Sequence, residues 1–155
     1  MTIAPDPRPA AAVVVILVDT SVWIQTFRRQ SPLDLDAVVD FDEVVTCGPV
    51  IQEVIQGFDD ERAWRIAREA MRALPALEDP MSIEVYTEAA EIFRRGRRMG
   101  KSIRSGVDCL IAACALRHDA EVLHADRDFD AIATFTALKV RNLGTARSLG
   151  RGRSA

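Results

Sequence analysis

The stretch Val13-Val-Val-Ile-Leu-Val18 narrows the possible folds more than any other part of the chain. Its residues are almost all β-branched and do not alternate with polar ones, which is the pattern of a strand covered on both faces. Such strands sit in parallel sheets with helices on either side, and Asp19 ends this one abruptly, placing a carboxylate at its carboxyl end. The apolar stretch from Ala10 to Val18 is nine residues long, well short of the ~20 that span a bilayer. No basic segment precedes it, so neither a membrane anchor nor a secretory signal is expected.

Shorter runs of the same kind predict strands over 43–46 and 121–124, a last strand is expected over 138–141, and a further one over 74–78. Between them, Ala63, Ala67, Ala70, Met71 and Leu74 recur at helical spacing, as do Tyr86, Ala89, Ala90 and Phe93. Helices are also expected over 22–27, after Gly48-Pro49 and over 106–116. This alternation predicts an α/β fold, a three-layer α/β/α sandwich with a central parallel sheet. Ligands of such sheets bind at the carboxyl ends of the strands.

With 155 residues, 48% of them apolar, the chain is expected to form one domain with a substantial core. Residues 1–12 contain three prolines and read as a flexible leader, 13–147 as the folded domain, and 148–155, mostly Gly, Ser and Arg, as a flexible tail. Cys47, Cys109 and Cys114 are odd in number and lack metal-ligand spacing, which argues against disulfides or zinc and points to a reducing cytoplasm. A net charge of -3 gives no global attraction to a polyanion. Any nucleic acid must therefore meet a local patch.

The acids carry most of the chemical signal. Asp19 sits at a strand end, where an Asx turn or a helix cap competes with a functional role. Asp108 lies in a helix that is otherwise apolar all round, and a helix of that kind is buried. Its charge must therefore be paired, capped or metal-bound, and Ser105-Gly-Val-Asp108 matches the spacing of a capping box. Asp126, Asp128 and Asp130 follow the strand over 121–124, and one of them is expected to cap the next helix. Glu53 falls off the apolar stripe of its helix and by itself reads as a surface residue. Asp19, Glu53, Asp108 and Asp126 nevertheless all map to one rim of the sheet. Their mutual repulsion is relieved by a hard divalent cation, and an all-oxygen set selects Mg²⁺ or Mn²⁺. Paired metals held by carboxylates are suited to phosphodiester hydrolysis, and Thr20 and Ser21 add hydroxyls.

Residues 94–104 carry six positive charges and no negative one. Arg97, Arg98, Lys101 and Arg104 are candidates for a phosphate track leading toward Asp108, the alternative being a solvated helix end that complements the helix dipole. His118 and His124 lack ligand-spaced partners and read as packed or surface residues. No P-loop, dinucleotide or nucleophile-elbow motif is present.

Four blocks carry a resemblance: Val18-Asp-Thr-Ser-Val-Trp-Ile24, Pro49-Val-Ile-Gln-Glu-Val-Ile-Gln-Gly57, Ser105-Gly-Val-Asp-Cys-Leu-Ile-Ala-Ala113 and Leu123-His-Ala-Asp-Arg-Asp-Phe129. In order and spacing the chain resembles the PIN-domain ribonucleases of the VapC type, the toxins of toxin–antitoxin systems. The resemblance implies a parallel-sheet sandwich and an endoribonuclease dependent on Mg²⁺ or Mn²⁺. It also implies metal-site acids at Asp19, Glu53, Asp108 and Asp126, with Asp128 added and Ser21 as a supporting hydroxyl. A homodimer and a cognate antitoxin whose C-terminal segment covers the site are implied as well. The proline-containing leader departs from the family pattern, whose members begin close to the first strand.

Two other readings compete. An aspartyl-phosphate enzyme also places an acid after its first strand but wants a second one where this chain has Ser21. A non-catalytic RNA-binding or assembly module on the same scaffold would bind RNA without divalent metal and without cleavage.

Overall fold

The central strand β1 (Ile16–Val18) is buried at every residue. It pairs in parallel with β2 (Val44–Cys47) on one side and β4 (Glu121–His124) on the other. This computed structural model describes residues 12–144. Residues 1–11 of the expected leader, and the whole expected tail over 148–155, lie outside the described residues.

A short edge strand β3 (Ala76–Leu77) continues the sheet beyond β2, and β5 (Lys139–Asn142) continues it beyond β4, giving the order β3-β2-β1-β4-β5 with every pairing parallel. Among the described residues, the helices α1 (Thr20–Thr26), α2 (Gly48–Gln56), α3 (Glu61–Arg72), α4 (Ile83–Arg98), α5 (Gly106–Arg117) and α6 (Arg127–Ala133) complete the α/β/α sandwich. The sequence reading of a six-residue first strand is too long. Val13 is 88% exposed because both neighbouring strands begin their pairing opposite Ile16. Likewise, the strand expected over 74–78 shrinks to the two residues that pair with Thr46 and Cys47.

The chain leaves β1 toward β2 on one side and returns to β4 on the other, so the strand order reverses between β1 and β4. At such a switch point the loops diverge and open a crevice at the carboxyl edge. The core beneath it is dense: Leu17, Val18, Val122 and Leu123 from the sheet meet Ile111, Ala112 and Ala115 of α5 and Phe129 and Ile132 of α6, all fully buried. Helix α5 is buried along much of its length, from Asp108 and Cys109 to Ala115, as its all-round apolar composition requires. Among the described residues no helix is long and apolar enough to cross a membrane.

Candidate metal centre

Each acid at the crevice is placed by the junction that follows a strand or begins a helix. Asp19 caps α1, its Oδ2 accepting from the Ser21 amide at 3.0 Å and from the Ser21 hydroxyl at 2.5 Å. The same Ser21 oxygen accepts from the Ala125 amide at 3.0 Å. One hydroxyl thus ties the carboxyl end of β1 to that of β4. The neighbouring Thr20 hydroxyl donates to Glu53 Oε1 at 3.0 Å, turning a glutamate that lies off its helix stripe inward to a half-buried position. Both hydroxyls are therefore engaged with acids.

Asp126 caps α6, accepting from the Asp128 amide at 3.0 Å, and its own amide donates to His124 Nδ1 at 3.2 Å. An Nδ1 that accepts is unprotonated, so the proton of the neutral ring lies on Nε2, which sits 3.2 Å from Asp130 Oδ1. His124 is fully buried, as its packed reading requires, and it steadies the backbone of Asp126. The sequence offered little sign of this role beyond a polar residue at the end of a buried strand.

Asp108 stands in the first turn of α5, 7% exposed. The capping box is not formed. Ser105 makes no side-chain cap, and Asp108 Oδ2 is buried without a hydrogen bond. A charge in that position is costly. Burial, followed by the charges of Asp19, Asp126, Asp128 and Glu53, pushes the Asp108 carboxyl up to about 8. Asp19 is also raised, chiefly by burial, against the lowering effect of its bonds to Ser21. Glu53 is raised by burial and by the charges of Asp19 and Asp126.

Asp108, Asp126 and Asp128 each offer an oxygen within 4.8 Å of the others. Asp19 and Glu53 stand outside this tight trio and act on it through their charge. Buried oxygens without hydrogen bonds occur on three of the five acids, Asp19 Oδ1, Asp108 Oδ2 and Asp128 Oδ1. Asp128 Oδ1 has only the Arg104 guanidinium at 3.5 Å, and for oxygens left without hydrogen bonds a hard divalent cation is the partner whose chemistry fits an all-oxygen set.

The basic run divides. Arg97 and Arg98 are exposed at the end of α4, Arg97 stacking over Phe93, and Lys101 is half-buried in the loop that follows. Arg104 turns back onto the acids, with Nη2 at 3.4 Å from Asp126 Oδ1 and Nε at 3.5 Å from Asp128 Oδ1. A cavity of about 590 Å³ with Glu53 on its wall lies beside the centre, and another of about 550 Å³ lies next to Arg104. They share Tyr86 and Leu110, so one groove runs along this side of the molecule.

Residues 16–134 match the PIN domain family. The chain is 35% identical to the ribonuclease VapC11 of Mycobacterium tuberculosis over 130 residues, covering 81% of this chain and 96% of that protein. A VapC ribonuclease of Mycobacterium bovis matches to the same degree. Among solved structures, VapBC-5 of M. tuberculosis, a member of the VapBC family of toxin–antitoxin systems, superposes with a TM-score of 0.64 at 21% identity, over 84% of this chain and 99% of that one. VapC20 of M. tuberculosis, described as a Sarcin-Ricin loop cleaving toxin, gives 0.61 at 22% identity, over 80% and 98%. The likeness to these two structures is one of fold, whereas the sequence identity and the family match carry descent: the chain belongs to the PIN-domain family, among the VapC ribonucleases.

Proposed function

We propose that this protein is a metal-dependent endoribonuclease, the toxin of a toxin–antitoxin pair, acting in the cytoplasm. The observation that carries the reading is the set of buried carboxylate oxygens without hydrogen bonds on Asp19, Asp108 and Asp128, gathered with Asp126 and Glu53 at the switch point of the sheet. A module that only bound RNA would have no use for such a costly arrangement.

Asp108, Asp126 and Asp128 would hold Mg²⁺ or Mn²⁺, with Asp19 and Glu53 completing the set. When bound, the cation lowers the pKa of water and neutralises charge on the phosphate that is attacked. Ser21 holds Asp19 in one orientation and fixes it against β4, while Thr20 does the same for Glu53. The sheet edge thus presents its oxygens preorganised, with little reorganisation left for the reaction itself. In-line attack by water on the phosphodiester leaves 5′-phosphate and 3′-hydroxyl ends. Arg97, Arg98, Lys101 and Arg104 bind the RNA backbone, and the groove past the exposed Tyr86 gives the strand a path.

A cognate antitoxin belongs to the same reading, supported by the VapC relatives and by structural neighbours from VapBC toxin–antitoxin systems, and a homodimeric state is proposed with it from the family resemblance alone. The buried free thiols of Cys47, Cys109 and Cys114 suit a reducing compartment. Purified protein free of antitoxin, incubated with total RNA with and without EDTA and followed by end sequencing, tests the proposal. Defined 5′-phosphate ends that vanish with EDTA are expected, and RNA left intact in both arms overturns it.

A further inference from the structure

Arg104 occupies an unusual place for a residue of a phosphate track. Its guanidinium reaches Asp126 at 3.4 Å and Asp128 at 3.5 Å, and its backbone amide donates to Asp128 Oδ2 at 3.0 Å. Asp126 and Asp128 are two members of the tight acidic trio. The side chain is 57% exposed and its contacts are long, so they are weak and screened. The other wall available to it is the groove it lines together with Arg94 and Tyr86.

We propose that Arg104 is a metal-displaced phosphate clamp: it neutralises Asp126 and Asp128 in the metal-free protein, yields them to the divalent cation, and then engages an RNA phosphate beside the centre. This rests on the function proposed above. A divalent ion among three carboxylates outcompetes a half-exposed monovalent group, and its charge repels the guanidinium. Once released, the planar fork finds its best partner in a phosphate, which it grips through two parallel hydrogen bonds. Arg104 thereby works against metal binding in the absence of RNA and for RNA binding in the presence of metal.

These opposite signs make the inference testable with Arg104→Ala and Arg104→Gln, both at a half-exposed position and both checked by thermal melting. Calorimetric titration with Mn²⁺ alone is expected to show binding about two- to fivefold tighter than wild type, the equivalent of one weak ion pair. Anisotropy with a short single-stranded RNA is expected to show affinities within about twofold of wild type in EDTA, but about tenfold weaker in Ca²⁺, which supplies the divalent charge. Unchanged or weaker Mn²⁺ binding overturns the displacement. Equal loss of RNA affinity in EDTA and Ca²⁺ returns Arg104 to an ordinary phosphate contact and overturns the clamp. Failure of the wild-type protein to take up Mn²⁺ would instead strike at the proposed function itself.

Discussion

At the scale of single residues, the charge on Asp108 governs how the metal-free protein responds to pH. Its carboxyl titrates at about 8 in the fold and near the ordinary carboxylate value of 3.8 in the unfolded chain. Between those values the native state holds a proton that the unfolded state has lost, so stability is highest at the acid end of the window and falls as pH rises through it. A displacement of this size amounts to about 6 kcal/mol at most, set chiefly by burial and shared in part with the acids that repel Asp108. Thermal melts in EDTA are therefore expected to show a melting temperature that drops on raising the pH from about 5 to about 8, and Mg²⁺ is expected to restore it at the upper end. A flat profile in EDTA would refute this. Asp108→Asn should flatten the profile and abolish RNA cleavage while the metal-free protein stays at least as stable as wild type near pH 8, a combination checked by the same melts and a cleavage assay. That Asp108 posed a problem was legible in the sequence, because its helix is apolar on every other side. Where Arg104 and His124 point was not legible. Those contacts depend on how the loop before α5 and the end of β4 meet in three dimensions.

Among elements, the joint between β1 and β4 hangs on the Ser21 hydroxyl, which donates to Asp19 and accepts from Ala125. Ser21→Ala leaves the Ala125 amide without that partner and frees Asp19 to turn. A loss of about 1 to 2 kcal/mol in stability is expected by denaturant titration. Cleavage by the folded fraction should fall at least about tenfold, because a misoriented ligand costs more than the lost bond. Equal activity of variant and wild type would show that Asp19 is held by its backbone contacts alone. The strands β2 and β4 were legible to within a residue as short apolar runs, because burial on both faces leaves such a run in sequence, whereas β5 was placed to within a residue although it is only partly buried at the sheet edge. The extent of β1 was not, since Val13 has the propensity for a strand but no neighbour to pair with. Glu53 is the element-level counterpart. Helical periodicity turns it outward, and only the packing of α1 against α2, through Thr20, brings it to the acids.

For the whole molecule, the strand order decides what the scattered acids mean, and no single run of sequence encodes it. Because β1 lies between β2 and β4, the residues following three separate strands and the first turn of α5 converge on one crevice. The charge balance follows the same division between local and global. A net charge of -3 repels RNA at long range, so binding must come from a confined basic surface. Arg97 and Arg98, exposed at the end of α4, and Lys101 just beyond them are the residues available for that surface. Each phosphate contact on a single strand contributes about 0.7 to the slope of log affinity against log salt. Replacing Arg97, Arg98 and Lys101 together with Gln is therefore expected to make that slope shallower by about 2 and to weaken binding similarly for unrelated RNA sequences. Melting temperature and Mn²⁺ affinity should stay as in wild type, since none of the three touches the acids. A salt slope unchanged by the triple substitution, measured by anisotropy at several salt concentrations, would move the RNA path off the end of α4 and onto the groove lined by Tyr86 and Leu110.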